Sequence, residues 1–279
     1  FAHGSRGGGI AFLVGCLMSC AGYTVIRIID ILDPSISCSV QGGILCGALT
    51  STPGLSSICE RPGMVASQAV RGYGCTYLGG VLSAVFAVRL CRTQKTEVRE
   101  AAQAECADGK SLRAAPCVTV IGVCALFGNL LGSLILPGTG VMLGDTGGIL
   151  GTAMLLGCGL SKGKYVPEPS VLRIGKNLGL ALFFTGTGVS AGLQIHALQP
   201  MTVLYGLLVT WTALAVGFFC TGRFFGRFHL HRGCVIAGGM TSSPALGTLL
   251  QKCADPPLFQ FSAAYFGALL SLTVLLYFL

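Results

Sequence analysis

The chain is poor in charge. Asp, Glu, Lys and Arg make up 10% of its 279 residues, against about 25% in an average soluble domain. A soluble fold cannot hide the matching 52% of hydrophobic residues, so a polytopic α-helical membrane protein is expected. Strict alternation of polar and apolar residues is also missing. The apolar runs are continuous, which excludes a transmembrane β-barrel. There is no Cys-x-x-Cys pair among the 14 cysteines, which excludes the common zinc and dithiol motifs and leaves small thiols buried in helices. No P-loop or H-E-x-x-H occurs, so ATP-driven transport and zinc-dependent hydrolysis have no support. The chain is expected to be no enzyme and to carry no metal or other cofactor. The formal net charge of +8 does not point to nucleic acid, because the basic residues lie in the loops between apolar runs, where they set topology.

What is abundant is glycine, 42 residues, as close helix packing in lipid requires. A span needs about 20 apolar residues. Such runs lie at 8–31, 64–90, 117–136, 144–160, 174–195, 202–221 and 258–279, with two further runs at 38–58 and 234–251. Basic clusters fall at 89–113, 162–176 and 223–232, whereas 30–33 and 137–143 carry no positive charge. The positive-inside rule places the basic clusters in the cytoplasm. It favours a topology in which 38–58 and 234–251 dip in from opposite faces. The expected location is the bacterial inner membrane, crossed many times.

Those two runs contain nearly the same words. Residues 47–55 read G-A-L-T-S-T-P-G-L and residues 238–246 read G-G-M-T-S-S-P-A-L, 191 residues apart. Further on, T-Y-L-G-G-V-L-S at 76–83 matches A-Y-F-G-A-L-L-S at 264–271 with a shift of 188. Two matched blocks in one order define a duplicated unit. The reading is therefore two related repeats, inverted in the membrane, each with a broken or re-entrant motif helix. The units are 1–91 (the C-terminal part of the first repeat), a cytoplasmic linker at 92–116, and 117–279. By symmetry roughly 80–100 residues of the first repeat are expected to precede Phe1.

A Thr-Ser-Thr-Pro run bends or ends a helix, since proline lacks a donor and clashes with the preceding turn. The freed backbone groups are tolerable in lipid only against protein or a water-filled cavity. Ser and Thr cap helix N-termini and proline favours the first turn. Thr50, Ser51, Thr52 and Pro53, with Thr241, Ser242, Ser243 and Pro244, thus read as two half-helix starts whose N–H groups and dipoles form an anion cradle. The alternative is a hydroxyl-padded proline kink. Asp145 opens an apolar run, as a proton or cation ligand or as a helix cap. Thr185, Thr187 and Ser190 interrupt another run and line the cavity or pack helices.

The two Thr-Ser motifs, with L-G-D-T-G-G-I-L-G-T-A-M-L-L-G (143–157) and N-L-G-L-A-L-F-F-T-G-T-G-V-S-A-G (177–192), resemble the aspartate–alanine exchanger family of bacterial secondary transporters. The resemblance implies exchange of small carboxylate-bearing solutes, amino acids or dicarboxylates, and an elevator-type carrier similar to the wider ion-transporter superfamily. It implies that the eight motif residues line the solute site. It departs from the family at Asp145, where asparagine is usual, and in the shortness of the linker. The expected partners are a small anionic or zwitterionic solute, the lipid bilayer, a coupled proton or sodium ion, and a second copy in a homodimer; nucleic acid is not among them. The alternative function is a cation/proton antiporter using Asp145.

Overall fold

The computed structural model describes residues 2–59, 61–91, 114–132, 199–228, 230–253 and 257–279, with scattered helical positions between 148 and 189. The described segments are helical. They form α1 (Ala2–Leu32), α2 (Cys38–Ala48), α3 (Thr52–Cys59), α4 (Ala66–Leu90), α5 (Ala114–Gly132), α6 (Pro200–Phe228), α7 (Arg232–Gly239), α8 (Ser243–Lys252) and α9 (Leu258–Tyr277).

Among the described residues, four stretches are long and apolar enough to cross a membrane: Gly7–Leu32, Ala66–Leu90, Pro200–Arg223 and Leu258–Tyr277. Their outward faces carry large apolar side chains. On α6, Trp211 is 65% and Phe219 74% exposed, while Val209 and Ala213 are fully buried. So much bare apolar surface belongs against lipid rather than water.

The order long helix, short helix, break, short helix, long helix occurs twice, in α1–α4 and in α6–α9. The long helix α1 lies along α9 and α6, α2 packs on α4, and α7 packs on α9. Close approach relies on glycine at matched places. A methyl group added at Gly15 of α1 would overlap the Ala264 carbonyl oxygen of α9, and one added at Gly206 of α6 would overlap the Thr76 side chain of α4. Positions 15 and 206 differ by 191, and 76 and 264 by 188, the two shifts of the sequence blocks. Met18, fully buried, fills the space where Gly217 of α6 and Gly239 of α7 face α1. Gln41, also fully buried, donates from Nε2 to Asp30 Oδ1 at 2.6 Å and to the Ile36 carbonyl at 2.9 Å, which pins the α1–α2 corner.

Candidate solute site at the crossed helix breaks

Both breaks have one geometry. At the end of α2, the Thr50 N–H donates to Gly47 O at 3.0 Å and the Ser51 N–H to Cys46 O at 2.8 Å. At the end of α7, Thr241 N–H donates to Gly238 O at 2.8 Å and Ser242 N–H to Ala237 O at 2.9 Å. This is the paired 5→2 and 6→1 bonding of a Schellman cap. The cap needs a left-handed residue at its turn. Here Thr50 has φ 56° and Thr241 φ 46°, and these are the two non-glycine residues with positive φ among the described ones. A β-branched residue in that region is strained. The sequence reading took both threonines as openers of the following half-helix; they instead close the preceding one.

The strain is offset by two reciprocal bonds. Thr50 Oγ1 donates to the Met240 carbonyl at 2.7 Å, and Thr241 Oγ1 donates to the Leu49 carbonyl at 2.8 Å. Each acceptor is the C-cap residue of the opposite short helix. Thr210 Oγ1 of α6 adds a bond to the Ala48 carbonyl at 3.0 Å. The carbonyls that end α2 therefore find donors although they are buried, as lipid surroundings demand. Thr50 and Thr241 are each 4% exposed.

Beyond the crossing the chain restarts at once. Ser51 Oγ accepts from the Gly54 N–H at 3.2 Å, and Ser242 Oγ accepts from the Ala245 N–H at 3.4 Å. Pro53 and Pro244 occupy the first turns, where their missing N–H is no loss. Proline, cap and Schellman bonds use up most of the first-turn donors; the amides of Thr52 and Ser243 are not used in these ways. Both residues are half-buried, with a helix dipole behind each. Thr52 Oγ1 lies 3.1 Å from Tyr73 Oη, and the Tyr73 ring stacks on Tyr77 with centroids 5.0 Å apart. Tyr77 of α4 and Tyr265 of α9 correspond at the shift of 188. This aromatic and hydroxyl lining was overlooked in the sequence, although Tyr77 and Tyr265 stand inside the quoted matching blocks. Of the expected residues, Ser51 and Ser242 serve as caps, Thr50 and Thr241 hold the crossing, and Thr52 and Ser243 with the prolines form the half-helix tips.

Of the other expected residues, Thr185 does not join this cluster: it is exposed and donates back to the Ala181 carbonyl at 2.9 Å. Asp145, Thr187 and Ser190 lie outside the described residues. A separate polar cavity of about 330 Å³ opens where the α1–α2 loop meets α4 and α6, with Asp33, Gln68, Arg71 and Tyr205 in its wall. Hydrogen bonds from Ser35, foremost, and Tyr205 hold the Asp33 carboxyl below its ordinary value of 3.8, so it stays ionised facing the Arg71 side of the cavity.

Lipid-length helices around two buried, hydrogen-bonded helix breaks define a polytopic membrane protein of the permease kind. The chain belongs to the aspartate–alanine exchanger family, whose model, described as a predicted permease membrane region, matches residues 1–93 and 120–279. An uncharacterized transporter of Rhodopirellula baltica is 35% identical over 121 residues, covering 38% of this chain and 20% of that protein. The chain thus spans about a fifth of the length of that curated relative. No solved structure matches the chain.

Proposed function

We propose that this chain is the membrane part of a secondary exchanger for small carboxylate-bearing solutes, amino acids or dicarboxylates. The observation that carries the reading is the pair of half-helix N-termini, Thr52-Pro53 and Ser243-Pro244, brought together by reciprocal bonds in the interior of the fold. Two helix dipoles and two amides that take no part in the cap and Schellman bonds suit a carboxylate, and Tyr73 supplies a hydroxyl beside one of them. The reciprocal contacts exchange under a local two-fold rotation. Combined with the positive-inside placement of Arg89 and Lys252, that rotation supports reading the units as inverted repeats. Alternating access then moves the crossed breaks relative to the rest of the molecule, as in elevator-type carriers, and the inner membrane of a bacterium is the expected setting.

Counterflow in liposomes tests this. The full-length protein, loaded with unlabelled aspartate or alanine, is expected to take up labelled aspartate against its gradient. Counterflow that fails for every small acid, while a pH or sodium gradient drives charge movement, overturns the exchanger reading in favour of a cation/proton antiporter using Asp145.

A further inference from the structure

The half-helices also finish alike. Two residues past α3 stands Arg61, and 191 residues on, the last residue of α8 is Lys252. Arg61 Nη1 donates to the Leu276 carbonyl in the last turn of α9, and its guanidinium carbon lies 5.1 Å from the Tyr277 ring centroid. Lys252 Nζ donates to the Arg89 carbonyl in the last turn of α4 at 2.9 Å. The fastenings are crossed: the half-helix of each unit is tied to the closing long helix of the other. The packing is compatible with this: α8 lies on α4, and α3 lies on α9 as well as on α4 of its own unit.

We propose that Arg61 and Lys252 are swapped latches, positioning residues that hold the two half-helix tips at the solute site by tying their far ends to the opposite unit. A helix of eight residues is a lever about 12 Å long. Held only at the Thr50–Thr241 crossing, it can swing; held at both ends, its N-terminus has a fixed aim. A cation is the right fastener, because it satisfies the last carbonyls of a helix and complements the negative end of its dipole. The latches differ in strength. The last turn of α9 has no basic residue of its own, whereas α4 already has Arg89 there. Arg61 is half-buried and stacked on an aromatic ring; Lys252 is exposed. On the inverted topology proposed above, the two latches lie at opposite membrane faces, so each governs access from one side.

The latches rest on the proposed site only for their consequence, and hydrogen exchange reads them without any solute. In the full-length protein in detergent, Arg61→Gln is expected to speed amide exchange in residues 52–59 about tenfold and to leave 243–252 unchanged. Lys252→Gln is expected to do the reverse, about threefold. Arg61→Lys and Lys252→Arg restore slow exchange, which a purely volumetric role does not predict. Unchanged exchange in both Gln variants, equal acceleration throughout the chain, or failure of the conservative variants to restore it overturns the proposal. Should Arg61→Gln fail to fold, the exposed Lys252 arm decides alone. Lost counterflow with unchanged exchange rates would sink the latches and leave the exchanger reading standing.

Discussion

The hydroxyl of Thr50 is the sharpest point at which to perturb the crossing. Valine there keeps the shape and the left-handed strain but removes the donor, leaving the buried Met240 carbonyl unpaired. The loss is about 1–3 kcal/mol. Glycine removes the donor too, yet it also releases the strain of a left-handed β-branched residue, about 1–2 kcal/mol, against an added entropy loss of about 0.5–1 kcal/mol. Serine keeps the donor and relaxes the branching. The expected order of stability is therefore Thr50→Ser near the parent, Thr50→Gly lower, and Thr50→Val lowest. The same order is expected at Thr241, whose φ and bond match. Cys46, fully buried beside the α2 break, and Cys234, fully buried in the first turn of α7, report opening of this region. Thermal unfolding in detergent, followed by a thiol-reactive dye, measures the order. A Thr50→Val protein as stable as Thr50→Ser would refute the reciprocal bond, and a Thr50→Gly protein less stable than Thr50→Val would refute the strain.

Two other perturbations test the packing and the caps. Gly15→Ala drives a methyl into the Ala264 backbone and is expected to destabilise by about 1–3 kcal/mol, while Gly9→Ala, which meets nothing within 4 Å, serves as the neutral control; equal melting of the two would contradict the α1–α9 contact. His231 caps α7 by accepting the Cys234 N–H on Nδ1 at 3.2 Å, and burial lowers its pKa from the ordinary 6.5. The unfolded chain then binds the proton first, so stability is full above about pH 6.5 and falls as the pH drops through that value toward the folded pKa. His231→Asn keeps an N-cap acceptor and is expected to flatten this dependence in melting curves between pH 7.5 and 5; a parent protein with no such slope would argue against the cap.

The sequence disclosed the breaks because proline and hydroxyl residues inside apolar runs have few explanations, and it disclosed the pairing of segments because two blocks matched in order. The serine caps and first-turn prolines followed from local chemistry. The role of Thr50 and Thr241 did not. Threonine seldom adopts a left-handed conformation, so local rules assign it to a helix start, and only the tertiary partner, a carbonyl 190 residues away, explains its place at a helix end. Thr210 was silent for the same reason: a hydroxyl in a spanning helix usually bonds back to its own turn, as Thr212 does to Leu208, and nothing local marks one that reaches Ala48 instead. Arg61 and Lys252 stand 191 residues apart, but Lys252 ends a half-helix and Arg61 follows one, among loop charges that serve topology, and their acceptors are backbone carbonyls that leave no mark in sequence.

The proposed function stands on the binding of a small acid between the tips of α3 and α8. Hydrogen exchange of the full-length protein with and without saturating aspartate, followed at residues 50–59 and 241–252, tests it most directly. Slower exchange is expected in both segments together, with the amides of Thr52 and Ser243 among those protected. Protection confined to other helices, or to one tip alone, would contradict it.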